Sequence, residues 1–290
     1  MPTDDARLSV KKMYKLFING AFVRSESGRS DPIYAGKEFA SNIARASRKD
    51  ARDAVVAARA AQSTWAATAP ATRGLILYRL AEMMEGRSDE FALRLREGSG
   101  LGERAARDEV CASIDRLVWY AGWCDKFAAL LSTRNPVAGP HFNFSTPEPM
   151  GVIAVLAPDE PALLGLISTI IPPLVSGNTV VVLAPEKDPR TAMTLAEALA
   201  TSDMPAGTVN ILTGEQTEVA PHLAKHMDVN AITIAQGEPE FVVQLLRFSA
   251  DNVKRTRTVA KRDWSAASAQ SLDEIAAYCE IKTIWHPAAI

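Results

Sequence analysis

The sequence predicts an α/β protein with a mostly parallel sheet and flanking helices, and three observations carry that prediction. From residue 151 onward, short apolar runs at 152–157, 179–183, 208–213 and 231–234 alternate with helix-like segments at 162–176, 189–201, 218–226 and 238–249. Strands that alternate with helices pair in parallel through right-handed crossovers. The most apolar stretch, 151–183, is broken by Pro158, Asp159, Glu160, Pro161, Pro172 and Pro173, so it reads as a buried strand–helix–strand unit and not as a membrane span. The composition, 47% hydrophobic and 23% charged over 290 residues, is that of a globular chain long enough to bury a sizeable core.

The elements follow in order. Residues 15–23 place Asn19-Gly20 between two apolar runs, the signature of a tight hairpin. The polar stretch 24–37 is expected to be irregular. Residues 47–65 form a helix, with Ser47 as cap, Asp50 three residues later, and Val55, Val56, Ala58 and Ala61 as its stripe. Further helices are expected at 71–87, 88–97 and 102–131 from their apolar spacing. Four prolines mark 134–150 as an extended excursion or hairpin around Phe142-Asn143-Phe144. No internal repeat or low-complexity tract is present.

Charge and cysteine usage narrow the function. The net charge of −2 gives no overall basic field for nucleic acid or membrane surfaces. Three irregularly spaced cysteines without a CxxC pair argue against a disulfide framework or a zinc site, and for a reducing, cytoplasmic setting. The N-terminal fifteen residues lack the apolar core of a signal peptide.

The pieces KLFINGAFV, DARDAVVAARAAQSTWAATAPATRGLILYRLAEMME, PEPMGVIAVLAP and SGNTVVVLAPEKDPRTAMTLAEALATSDMPAGTVNILTG resemble the N-terminal, cofactor-binding portion of aldehyde dehydrogenases. The last is the most specific, joining Gly177-Asn178-Thr179 to Pro205, Gly207 and Thr213-Gly214. The resemblance covers residues 15–237. It implies a Rossmann-like fold, one cofactor-binding domain over 1–290, NAD or NADP as cofactor, and a hairpin at 134–150 that leaves its domain to meet a neighbouring subunit.

Departures from the family pattern set the functional expectation. Where the family has an Asn that holds the oxyanion, the loop here reads Pro158-Asp159-Glu160-Pro161; a carboxylate accepts hydrogen bonds where catalysis needs a donor. In the family's Lys-Pro-Ser-Glu segment, Glu186 remains for ribose hydroxyls, beside Pro185, but Leu183 replaces the Lys. The Gly-x-Gly-x-x-x-Gly stretch keeps only Gly214, with Gln216 and Ala220 elsewhere, and Phe-Thr-Gly-Ser becomes Ile234-Ala235-Gln236-Gly237. The base-bearing Glu-Leu-Gly-Gly is replaced at 258–262 by Thr-Val-Ala-Lys-Arg, and the catalytic Cys is expected past or near residue 290. The implied cofactor contacts are therefore Pro158, Glu160, Pro185, Glu186, Gly214 and Gly237, with weak or lost NAD(P) binding, no catalytic residue and no metal ligand.

Each singled-out residue also has a plainer reading. Cys279, in an expected helix over 271–283 beside Glu280, is read as a buried structural thiol, and Cys111 and Cys124 as core. His222 and His226 have metal-compatible spacing but no third ligand, and fit an exposed helix face. Glu160 is either a general base at the sheet edge or a solvated loop carboxylate. Lys254, Arg255, Arg257, Lys261 and Arg262 form a basic run, expected to be solvated or to face an anionic partner. The tail 281–290 reads as a strand with Ile281, Thr283 and Trp285 on one side, pairing with another subunit or folding back on its own sheet.

Two functions remain open at this point. One is a non-catalytic aldehyde-dehydrogenase-like subunit that is a structural or regulatory partner of itself or of a full-length homologue. The other is an NAD(P)-dependent aldehyde oxidoreductase completed by an associated chain. A nucleotide-binding module without chemistry is a weaker third.

Overall fold

Asn19 and Gly20 adopt positive φ angles of 54° and 73°. They turn the chain between β2 (Leu16–Ile18) and β3 (Ala21–Val23), as the Asn-Gly pair predicts; β1 (Met13–Tyr14) precedes them. The computed structural model describes residues 10–259 and 262–288. Within 24–37, expected to be irregular, lies β4 (Ser30–Ala35), paired antiparallel with β5 (Glu38–Ala44). Pro32 inside β4 breaks the usual strand signal.

Helix α1 (Arg48–Ala67) starts where Ser47 predicts. Ser47 Oγ accepts the Lys49 and Asp50 N–H groups, and Asp50 Oδ2 accepts the Ser47 N–H at 2.8 Å, so the capping box is complete. Helices α2 (Pro70–Glu85) and α3 (Ser88–Ser99) match expectation. The single helix expected over 102–131 is instead α4 (Glu103–Ala121) and α5 (Phe127–Leu131). The chain turns after Gly122 so that Phe127 can bury against the core.

The βαβ rhythm is realised in β8 (Val152–Leu156), α6 (Leu164–Val175), β9 (Thr179–Leu183), α7 (Arg190–Thr201), β10 (Val209–Leu212), α8 (Gln216–Lys225), β11 (Ala231–Ile234), α9 (Pro239–Ala250) and β12 (Arg255–Thr258), which follow β6 (Thr133–Asn135) and β7 (His141–Pro149). The seven-stranded sheet runs β12-β11-β8-β9-β10-β2-β3, parallel from β12 to β10 and antiparallel at β2 and β3. Strands β8 to β11 are buried at every residue, as a sheet covered on both faces requires. Alternate residues feed two cores: Ile153, Val155, Val180 and Val182 face α2, α4 and α6, while Val152, Ala154, Val181 and Leu183 face α1 and α8.

The chain from residue 254 onward corrects three expectations. The basic run, expected to be solvated, is only partly so: Arg255 is exposed, whereas Lys254 is buried. Lys254 is 7% exposed, its Nζ donating to the His226 and Val229 carbonyls at 2.7 and 2.6 Å. Arg255 and Arg257 form β12 and pair with Glu280 and Glu274, and Arg262 also pairs with Glu274; Lys261 lies outside the described residues. The expected helix over 271–283 shrinks to α10 (Leu272–Ala276), and Cys279 opens β13 (Cys279–Pro287) instead of lying on a helical face. Strand β13 folds back on β7 of its own chain through nine registered pairs, from Cys279 opposite Pro149 to Pro287 opposite His141, completing the three-stranded sheet β13-β7-β6. Residues 289–290 of the tail lie outside the described residues. Among the described residues, no helix is long and apolar enough to cross a membrane.

Candidate functional site

The chain lays down β8, β9 and β10 in one direction, then returns through α8 to place β11 on the far side of β8. Open α/β sheets bind ligands outside the carboxyl ends of their strands at such a reversal. All six expected contact positions lie on loops at this edge. Pro158 is buried just past β8, and Glu160 is exposed on the same loop. Pro185 is buried and Glu186 exposed just past β9, Gly214 follows β10, and Gly237 follows β11. Gly214 and Gly237 take φ angles of 117° and 140°, which side chains rarely adopt.

What those loops do is bind one another. Gln236 Oε1 accepts the Asp159 N–H at 2.5 Å and so spans the crevice between the ends of β8 and β11. Asp159 Oδ1 accepts the Lys187 N–H at 3.0 Å, and Lys187 Nζ donates to Glu160, tying the β8 loop to the β9 loop. Glu186 accepts the Gln216 N–H at the start of α8. The buried Gln216 amide donates to the Ala157 and Ala184 carbonyls at 3.1 Å each, stitching the ends of β8 and β9. The Asp159, Lys187 and Gln216 N–H groups at this edge thus already have acceptors from the chain itself, whereas no side chain caps the start of α9.

Electrostatics at the edge are acidic. Partial burial raises the Glu186 carboxyl above the ordinary range against the Gln216 N–H, and Asp159 and Glu215 raise it further. The hydrogen bond from Lys187 to Glu160 raises the Lys187 ammonium. The cavity bounded by Asp31, Ile43, Glu186, Gly214 and Glu215 has a volume of about 90 Å³, against roughly 300–1,000 Å³ for typical small-molecule pockets.

Sequence reasoning missed Gln236, Lys187 and Glu109 as structural actors here. Glu109, on α4, accepts the Leu163 and Leu164 N–H groups at 2.8 and 3.2 Å and caps the start of α6; burial raises its carboxyl despite those bonds. Nothing near Glu109 in sequence announces this, because its partners lie more than fifty residues away.

The thiols also find their places. Cys279 is buried, its Sγ 3.5 Å from the Ile275 carbonyl, and burial pushes it up to about 11. Burial likewise pushes Cys124 up to about 12. Cys111, expected in the core, is exposed on α4. His222 is half-buried on α8, and His226 ends that helix with Nδ1 accepting the Asp228 N–H at 3.2 Å. Among the described residues no group of three or more His, Cys, Asp or Glu could hold a metal ion.

The family model for the aldehyde dehydrogenase family matches residues 23–258. The chain belongs to the aldehyde dehydrogenase family. It is 33% identical over 265 residues to retinal dehydrogenase 2 of Gallus gallus, covering 88% of this chain and 50% of the relative. Aldehyde dehydrogenase 1A1 of Homo sapiens is 32% identical over 251 residues, 83% of this chain and 49% of the relative. An NAD+ complex of aldehyde dehydrogenase from Bacillus cereus superposes with a TM-score of 0.80 at 26% identity, over 89% of this chain and 52% of that one. This aldehyde dehydrogenase-family chain therefore spans about half the length of these relatives, and its parallel sheet with flanking helices is the Rossmann-like one the resemblance implies.

Proposed function

We propose that this chain is a non-catalytic aldehyde-dehydrogenase-like subunit that serves as a structural or regulatory partner, in an assembly with itself or with a full-length homologue. One observation carries the reading. The loops at the carboxyl edge of the sheet are cross-linked by Gln236, Lys187, Glu186 and Gln216, so the Asp159, Lys187 and Gln216 N–H groups are already in use. Glu160, in the loop where the resemblance places an oxyanion-holding Asn, presents a carboxylate already paired with Lys187. The residues present do not fit a dinucleotide as they stand. The cavity beside Glu186 and Gly214 is only about 90 Å³, and Asp31, Glu186 and Glu215 around it oppose a pyrophosphate's charge. Hydride transfer is accordingly no part of the proposed role, and NAD(P) affinity is weak or lost.

Support for an assembly role comes from the three-stranded sheet. The outer edge of β13 has no strand beside it among the described residues, and Phe142, Ile281 and Trp285 on this sheet are 43%, 58% and 60% exposed. An unpaired edge with exposed apolar side chains favours strand addition or face contact with another subunit. A single domain is the reading proposed for one subunit, supported by the hydrogen bonds from Arg116 to the Trp264 carbonyl and from Asn178 to the Tyr278 carbonyl, which hold the segment after residue 262 to the rest of the described chain. Free thiols at Cys111, Cys124 and Cys279 fit a cytoplasmic setting.

The test is direct. Calorimetric titration of the purified chain with NAD+ and NADP+ is expected to show no binding at millimolar cofactor, and aldehyde-dependent NAD(P)H formation is expected to be nil. Turnover by the purified chain overturns the proposal. Turnover that needs a co-purified full-length homologue supports the oxidoreductase completed by an associated chain instead.

A further inference from the structure

A cavity of about 880 Å³ lies between the first turn of α1 and the C-terminal half of α8, and its lining contains none of the six expected cofactor-contact positions. Its walls carry Arg48, Lys49 and Arg52 from α1, and His222, Lys225 and His226 from α8 and its end. Glu26 is the carboxylate on its lining, and it accepts the Ser47 hydroxyl at 3.0 Å. Asp50 points inward to the Ser25 hydroxyl and the Ser47 N–H. Among the described residues no carboxylate pairs with Arg48, Lys49 or Lys225; Arg52 pairs with the exposed Asp53, and Lys225 lies 3.6 Å from the Phe248 ring centroid.

A second observation is independent of the cavity. Arg48 and Lys49 are the first two residues of α1, where the helix dipole is positive and disfavours cations by about 0.3–1 kcal/mol each. A pair of charges held against the local helix preference, at the mouth of a cavity of ligand size, marks a site where binding outweighs folding preference. The first-turn N–H groups of Lys49 and Asp50 are already taken by Ser47 Oγ, so recognition falls to the side chains.

We propose that this cleft binds a small molecule carrying a polyphosphate group, held by Arg48, Lys49 and Lys225 with His222 alongside. Guanidinium and ammonium groups grip phosphate oxygens through charge-assisted hydrogen bonds. With a chain charge of −2, no overall basic field exists to hold an extended polyanion, which leaves a compact ligand as the better fit to the cleft. Met227, also on the lining and 78% exposed, gives an apolar surface against which an attached ring can rest.

The experiment titrates tripolyphosphate into the full chain at low ionic strength and compares Arg48→Glu/Lys49→Glu. Acidic residues suit the first turn of a helix, so the double variant keeps or raises the unfolding midpoint while its affinity falls by about tenfold or more, the loss of two charge-assisted contacts. A parallel titration with ATP identifies the source: tighter binding than tripolyphosphate points to a nucleotide whose base uses Met227, equal binding to the polyphosphate group alone. Affinity unchanged in the double variant, or sulfate binding as tightly as tripolyphosphate, overturns the proposal.

Discussion

Asn178 Nδ2 lies 2.9 Å from the Tyr278 carbonyl oxygen, joining the Gly177-Asn178-Thr179 turn to the segment that leads into β13. Asn178 has no solvent exposure. Its Oδ1 accepts the Gly151 N–H at 2.7 Å, and its Nδ2 also reaches Ser176 Oγ at 2.8 Å. One amide thus fixes the entrance of β8, the end of α6 and the chain's return. Asn178→Ala strands the Gly151 N–H and the Tyr278 carbonyl in the interior. At about 1–3 kcal/mol for each buried unsatisfied group, the variant should lose about 3 kcal/mol, seen as a lower denaturant midpoint at unchanged slope. A midpoint equal to the native one removes Asn178 from this role.

Lys254 gives a pH signature. Burial lowers its ammonium from 10.5 to about 8. Below pH 8 both folded and unfolded chains carry the proton, and the folded chain bears the cost of burying it. Between about 8 and 10.5 the folded chain has released the proton while the unfolded chain still holds it, so the unfolded state binds more protons and stability rises with pH. Buried tyrosines and thiols titrate oppositely, so the informative quantity is the difference between the native chain and Lys254→Met. That difference should shift toward the native chain from pH 8 to 10 in urea titrations. A flat difference means that Lys254 is solvated.

Much of this fold is readable from local chemistry. The Asn19-Gly20 turn, the Ser47 capping box and the four apolar strands of the parallel sheet each announce themselves within a few residues. What is missed depends on distant partners. Strand β4 hides behind Pro32, and its pairing with β5 supplies the order that its own pattern lacks. Cys279 follows a helical-looking stretch, but pairing of β13 with β7 overrides helix propensity from that residue onward. At the candidate site, Glu186 and Gly214 are legible from motif spacing. The Gln236–Asp159 bridge spans 77 residues and forms only because parallel pairing brings the ends of β8 and β11 together.

The thiols should separate by environment. Cys124 and Cys279 are buried, with burial pushing them up to about 12 and 11, whereas Cys111 is exposed. Thiolate, not thiol, attacks a disulfide reagent. At pH 8 the native chain should show one fast-reacting thiol, lost in Cys111→Ser, with the other two reacting only in denaturant. Fast labelling of Cys279 in the folded chain contradicts its burial and reopens its reading as a nucleophile.

Assembly through the three-stranded sheet is best probed without removing a strand. Deleting 281–290 would remove seven of the nine β13 residues registered against β7, leaving one side of β7 largely open while β6 stays on the other, and a change in mass could then reflect unfolding. Ile281 and Trp285 alternate with Lys282, which pairs with Glu148 at 3.0 Å from the opposite face. Ile281→Lys/Trp285→Lys leaves the backbone ladder and that ion pair in place while putting charge on the exposed apolar face. Lysines on an edge strand oppose further pairing, and burying them against a partner would desolvate two ammonium groups. Light scattering should report a smaller particle for the double variant, with far-UV circular dichroism unchanged. If the native and variant chains have the same mass, this face is not the contact between subunits, and the outer backbone edge of β13 becomes the surface to block.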